Sequence, residues 1–294
     1  MGDFYYNSIM NYKKALEHLV KLALQEDIGE GDFSTLSCIP EQQLGKAILK
    51  VKEDCVIAGL EVAAFIFHFL DNNSKIYFYK KDGAFVKNGD IAFEVETSIH
   101  NILKAERLVL NCMQRMSGIA TLTKQYTQLL EGFNTKLLDT RKTTPNFRLL
   151  EKEAVKIGGG QNHRFGLYDM MMLKDNHIDY CGGIEKAIDL SWKYKNENQL
   201  DIKIEIETRN VDDVKKVIDF GRGKVDRIML DNFKPNEIIK ALELINNQFE
   251  TEASGGIDLE NIQEYAATGV DFISVGALIH QAKSVDLSLK AAIV

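Results

Sequence analysis

One pattern recurs through the second half of the chain: a short apolar run ends on a charged, polar or glycine-containing element, and a stretch long enough for one helix follows. The runs read KLLD-TRK (136–142), MMML-KDNH (170–177), IKIEIE-TRN (202–210), RIML-DNF (227–233), TEA-SGG (251–256) and FIS-VGA (272–277). Helices fit the intervening stretches at 147–157, 183–194, 210–219, 235–247 and 258–267, and Pro145 and Pro235 suit helix starts. Strands alternating with helices predict a βα barrel, in which reactive groups sit where the strands finish.

The first half lacks that rhythm. Tyr12, Ala15, Leu16, Leu19, Val20 and Ala23 predict a helix over 11–25, ahead of a turn at Asp27–Asp32. Strands are expected within 45–58, near 75–80 and near 91–96, with a helix at 60–70 and turns at Asp82-Gly83 and Asn88-Gly89-Asp90. From Ile99 to about Leu130 the spacing is helical, with Gly118 as a candidate break into two helices. Lys104, Arg107, Asn111 and Gln114 form a polar stripe there. The fold class is therefore α/β: an N-terminal α+β domain over 1–117, then an α/β barrel over 118–279. The C-terminal segment 280–294 is expected to be a helix packing on the first domain.

A net charge of −7 argues against broad nucleic-acid binding, which needs a basic face. Against that background, residues 136–174 carry eight Lys/Arg and four Asp/Glu, a local excess of four positive charges. Lys152 and Lys156 suit a solvated helix face; Arg141, Lys142, Arg164 and Lys174 fall in turns or at strand ends. Cys38, Cys55, Cys112 and Cys181 show neither CxxC nor zinc spacing, and Cys55 and Cys112 lie in apolar surroundings. No run approaches the ~18 apolar residues of a membrane span. The N-terminal MGDFYYNSIMNYKK lacks the apolar core of a signal peptide. A cytoplasmic enzyme is the expectation, with neither membrane nor nucleic-acid partners.

Ser254-Gly255-Gly256 and Val275-Gly276-Ala277 leave the last two strands and lead into helices, the usual phosphate position in barrels, where backbone N–H groups meet the anion. Thr140-Arg141-Lys142, His163-Arg164 and Lys174 add cations that would repel one another without anionic cargo. Glu207 and Asp231 end adjacent strands and can hold Mg²⁺, bind ribose hydroxyls or stabilise a developing cation. Glu205 shares Glu207's face by strand parity, which leaves the choice between them open. Two reaction classes fit: group transfer from a phosphorylated sugar to an acidic acceptor, and a Schiff-base aldolase or synthase using Lys174. A sugar-phosphate binding module leaves the charged strand ends unexplained.

The strings EDIGEGD (26–32), ERLVLN (106–111), DTRKTTP (139–145), GGGQNHRFGL (158–167), KDNHI (174–178), IEIET (204–208), MLDNF (229–233) and EASGGI (252–257) resemble nicotinate-nucleotide pyrophosphorylase, also called quinolinate phosphoribosyltransferase. The resemblance runs through nearly the whole chain. It implies a sandwich-like N-terminal domain and an open, incomplete α/β barrel. It also implies a pentosyltransferase that converts quinolinate and phosphoribosyl pyrophosphate to nicotinate mononucleotide, pyrophosphate and CO₂ in NAD biosynthesis. Mg²⁺ accompanies the pyrophosphate, and no organic cofactor is implied. By the same resemblance Arg141, His163, Arg164 and Lys174 meet the quinolinate carboxylates. Arg107 reaches that site from the other subunit of a head-to-tail homodimer, alone or within a hexamer. Lys142 faces quinolinate and pyrophosphate, Glu207 and Asp231 hold the ribose and its metal, Ser254 to Gly256 and Val275 to Ala277 cradle the 5′-phosphate, and Thr140 binds substrate. Lys142, Lys174, Glu207 and Asp231 are the implied catalytic groups. A relative with another acidic acceptor, such as nicotinate, is the alternative within the family.

Overall fold

The structure, a computed structural model, describes residues 2–292, with side chains from Tyr12 onward. Two compact units emerge: Met1–Lys124, Thr143–Gly159 and Ile279–Val294 form the first, and Gln125–Lys142 with Gly160–Leu278 the second.

The elements run α1 (Gly2–Ile28), α2 (Phe33–Cys38), β1 (Leu44–Val51), β2 (Cys55–Val56), α3 (Leu60–Leu70), β3 (Lys75–Phe78), β4 (Phe85–Val86), β5 (Ile91–Ser98) and α4 (Ile99–Leu129). After them come β6 (Lys136–Leu138), α5 (Arg148–Ile157), β7 (Met170–Leu173), α6 (Asp175–Cys181), α7 (Ile184–Glu197), β8 (Lys203–Thr208) and α8 (Val211–Gly221). The chain closes with β9 (Arg227–Asp231), α9 (Pro235–Ile245), β10 (Glu250–Ser254), α10 (Ile262–Ala266), β11 (Phe272–Ser274), α11 (Ala277–His280) and β12 (Leu287–Ala291).

In the first unit an antiparallel sheet of order β12-β1-β5-β3 carries Ala47, Leu49, Val51, Phe93 and Val95 into the core. Phe67 of α3 meets Phe93 edge-on, with ring centroids 6.2 Å apart. Cys55 and Cys112 are buried core thiols, and burial pushes their pKa values up to about 11 and about 12. Lys152, expected on a solvated face, is instead buried in α5, while Lys156 is exposed and paired with Glu153.

Two helical expectations fail here. The segment after 280 is not a helix: Leu287 to Ala291 pair with β1, Leu287 opposite Val51 and Ala291 opposite Ala47. The reason is its period, since Leu287 and Leu289 are buried and Ser288 between them is not. Nor does Gly118 interrupt α4, which runs unbroken from Ile99 to Leu129. Its glycine serves close approach, because a Cβ there would lie 1.9 Å from the Lys283 carbonyl oxygen and 2.9 Å from its carbon. Helix propensity alone would make Gly118→Ala stabilising by ~0.5–1 kcal/mol. The backbone collision outweighs that, and urea unfolding should show a loss of ~1–3 kcal/mol; an alanine variant as stable as the parent would disprove the close approach.

The second unit holds six parallel strands in the order β6-β11-β10-β9-β8-β7. They are the six apolar runs of the sequence, and Ile204, Ile206, Ile228, Leu230, Ala253 and Ile273 are fully buried. Among the described residues no ladder joins β6 to β7, so the α/β barrel is open. α10 is shorter than the expected 258–267, and α6 and α2 were not anticipated. α2 is a six-residue helix capped by Asp32, whose carboxylate accepts the Thr35 N–H at 3.1 Å.

Candidate active site

Parallel pairing sends the C-terminal ends of all six strands to one edge. Register aligns Asp231 with Ser254, Ser254 with Ser274, and Ser274 with Leu138. On the other flank Leu173 pairs with Ile206, which sets Lys174 beside Glu207; Lys174 Nζ lies 3.5 Å from Glu207 Oε2. The segments 140–142, 254–256 and 275–277 therefore leave the same edge as Lys174, Glu207 and Asp231. Gly255 and Gly256 have φ of 94° and 64°, the left-handed region that glycine enters at little cost. α6 starts directly after Lys174, whose N–H donates to His177 Nδ1 at 3.0 Å.

Arg164 is buried, and its guanidinium donates to the Met170 carbonyl at 3.3 Å. Burial lowers its pKa and the charge of Arg141 lowers it further, beyond what Glu205 and Asp169 restore. Arg141 Nε is buried, with no hydrogen-bond partner among the described residues. A buried cationic donor left in this state beside a second guanidinium is the electrostatic complement of an anion. Lys142 is exposed, and its N–H donates to Thr140 Oγ1 at 3.1 Å.

Burial raises the pKa of Glu207; Lys174 opposes the rise, and Asp231 and Asp175 add to it. An acid crowded by like charges is relieved by a cation. Glu207 with Asp231 supplies the oxygen donors that hard divalent ions such as Mg²⁺ take.

Beneath the rim lies a buried ionic layer. His163 Nε2 is 3.0 Å from Glu205 and 3.3 Å from Glu252, and Arg227 Nη1 donates to Glu252 at 2.9 Å. The Arg227 guanidinium also stacks 3.9 Å over the Phe272 ring. Asp139 accepts the His163 N–H at 2.8 Å, and His163 Nδ1 accepts the Arg164 N–H at 2.7 Å. Burial disfavours a charged imidazole, while Glu205 and Glu252 act to raise its pKa against that effect. The Arg164 N–H on Nδ1 works against a second proton, so the geometry favours a neutral ring with its proton on Nε2. Burial and then the Glu252 charge push Glu205 up to about 7. Burial also acts to raise Glu252, yet His163, Ser274 and Arg227 hold it below the usual range.

The strand-parity ambiguity is thus resolved in space: Glu207 sits at the rim and Glu205 one layer down. His163, expected against substrate, has both ring nitrogens turned to protein and stands as the support of Arg164. Asp139, Arg227, Asn232 and Glu252 were not foreseen. Parity could have found Arg227 and Glu252, which lie two strand steps or more before Asp231 and Ser254. Arg107 lies exposed on α4 in the first unit, on the polar stripe.

The pattern of the quinolinate phosphoribosyl transferase C-terminal domain matches residues 119–290, and that of the N-terminal domain matches residues 32–117. The chain belongs to the quinolinate phosphoribosyltransferase family. It is 44% identical over 288 residues to quinolinate phosphoribosyltransferase (decarboxylating) 2b, mitochondrial, of Nicotiana tabacum, across 94% of this chain and 82% of that protein. It is 40% identical over 280 residues to the probable nicotinate-nucleotide pyrophosphorylase (carboxylating) of Bacillus subtilis, across 95% of this chain and 93% of that one. Among solved structures, the nicotinate-nucleotide pyrophosphorylase from Francisella tularensis superposes with a TM-score of 0.85 at 38% identity, covering 95% of this chain and 97% of that chain. For this member of the quinolinate phosphoribosyltransferase family, the α/β fold class with an α+β N-terminal part and an open barrel holds. Among the described residues no helix is long and apolar enough to cross a membrane.

Proposed function

We infer that the protein is a decarboxylating quinolinate phosphoribosyltransferase, joining quinolinate to phosphoribosyl pyrophosphate to give nicotinate mononucleotide, pyrophosphate and CO₂ for NAD biosynthesis. The observation that carries this reading is the pair Arg141 and Arg164, adjacent cations on the edge that also bears Lys174 and two glycine turns. Arg141, Arg164 and Lys174 suit a dicarboxylate, and they outnumber what the single carboxylate of nicotinate needs. Ser254 to Gly256 and Val275 to Ala277 offer backbone N–H groups to the 5′-phosphate. Thr140 binds substrate, and Lys142 faces quinolinate and pyrophosphate.

The pyridine nitrogen gives its lone pair to C1 of the ribose as the C1–O bond to pyrophosphate breaks with its electrons. Positive charge builds at C1, and Glu207 and Asp231 stabilise it. The quaternised nitrogen then accepts electron density as the C2–carboxylate bond breaks; CO₂ departs and C2 takes up a proton. Glu207 and Asp231 would also hold Mg²⁺, which when bound would neutralise charge on the pyrophosphate. The Schiff-base alternative is disfavoured because Lys174 Nζ is engaged by Glu207 at 3.5 Å.

We propose that Arg107 completes the site of a second copy in a homodimer. Arg107→Ala should raise the quinolinate KM. Mixing it with Lys174→Ala should restore activity through hybrid dimers, each with one of its two sites intact, so that random pairing leaves about a quarter of all sites in the mixture intact. Continued silence after confirmed subunit exchange would rule out the shared site. The overall reading is tested by incubating the protein with Mg²⁺, phosphoribosyl pyrophosphate and either quinolinate or nicotinate: mononucleotide with equimolar CO₂ from quinolinate is expected, and mononucleotide from nicotinate alone would refute it. Free thiols support a reducing compartment such as the cytoplasm, which cell fractionation would check.

A further inference from the structure

Asn232 follows Asp231 at the end of β9 with φ of 59°, a left-handed conformation in which asparagine is better tolerated than most residues. Its side-chain amide is used at both ends. Nδ2 donates to Asp231 Oδ2 at 2.6 Å. The opposite assignment would set two oxygens against each other, so the donor must face the carboxylate. Oδ1 occupies the space a side chain at Gly255 would need, since a Cβ there would lie 2.2 Å from it. The Asn232 N–H donates to the Ser254 carbonyl at 2.8 Å. One residue therefore touches the carboxylate on one strand end and the glycine turn on the next. Gly255 is constrained twice, by its own φ of 94° and by the amide of Asn232.

We propose that Asn232 is a positioning residue for the phosphoribosyl half of the substrate. It locks the Asp231 carboxylate to the 254–256 turn, so that sugar and 5′-phosphate are held at a fixed separation. The hydrogen bond engages Oδ2 and leaves Asp231 Oδ1 for the ligand. Asn232 is itself exposed, so an amide–carboxylate bond there contributes little to folding. Its consequence is orientation, which binding of the sugar phosphate reads directly. This inference rests on the assignment of Asp231 and the 254–256 turn to phosphoribosyl pyrophosphate.

The test uses the full chain with two variants. Asn232→Gly accepts the left-handed backbone and lacks the amide. Asn232→Asp fits the same space, cannot donate when ionised, and adds a like charge beside Asp231. Both should keep the parent's melting temperature. Both should raise the KM for phosphoribosyl pyrophosphate about tenfold, the scale of one lost hydrogen bond to a charged group. The quinolinate KM should stay within about twofold of the parent in both. An unchanged phosphoribosyl pyrophosphate KM in the glycine variant would overturn the proposal, as would an equal rise in both KM values. If the parent itself makes no mononucleotide, the underlying reading fails and takes the inference with it; an active parent with indifferent variants sinks the inference alone.

Discussion

Lys174→Ala should lower turnover of quinolinate with phosphoribosyl pyrophosphate by ~10²–10³-fold, the range found when one preorganised electrostatic donor is removed from an active site. Two effects add. The site loses the cation proposed to meet the substrate's carboxylates, and Glu207 loses the charge that opposes its raised pKa. A Glu207 that protonates more readily stabilises a developing cation less well, so kcat should fall as well as kcat/KM. The fold should not suffer, because the Lys174 side chain is 48% exposed and a half-exposed ion pair contributes little to stability. Lys174→Arg keeps the charge and should recover part of the loss. Steady-state kinetics alongside thermal melts separate the cases; an alanine variant with parental turnover would remove Lys174 from the site. Lys142→Ala should also depress turnover strongly, through the pyrophosphate side.

Much of this site can be read from the chain because barrel strands announce their own ends. An apolar run that stops at Lys174, Glu207 or Asp231 places that side chain on the rim without further information, since parallel pairing brings all C-terminal ends to one edge. What lies beneath is harder to read. Glu205 and Glu207 have the same parity, and only depth in the barrel separates a rim acid from a buried one. The role of Gly118 depends on the backbone of Lys283, which is 165 residues away in the chain; local propensity can report only a weak helix position. The β12 error was avoidable, because Leu287 and Leu289 alternate with Ser288 and Lys290 at period two. Asn232 offered no periodic signal, because its meaning lies in a left-handed turn and a glycine on the next strand.

Arg227→Met should destabilise the protein by ~3–5 kcal/mol, the cost of breaking a buried ion pair by removing one partner. Arg227 is the cation of the inner layer: it donates to Glu252 at 2.9 Å, lies opposite both Glu205 and Glu250 in the sheet, and stacks on Phe272. Methionine keeps much of the volume and the contact with the ring, so the loss would be electrostatic rather than a cavity. It strands Glu252 and Glu205, both fully buried, with His163 beside both and Ser274 beside Glu252. Neutralising the stranded acid should recover part of the loss: Arg227→Met with Glu252→Gln should unfold at a higher urea concentration than Arg227→Met alone, a coupling that a double-mutant cycle reads directly. Strict additivity of the two substitutions would mean that the pair does not interact. Activity gives a second readout, since the same layer holds the His163 ring against the Arg164 backbone. If that support matters, the single variant should lose affinity for quinolinate at temperatures where it is still folded, and the double variant should regain some of it.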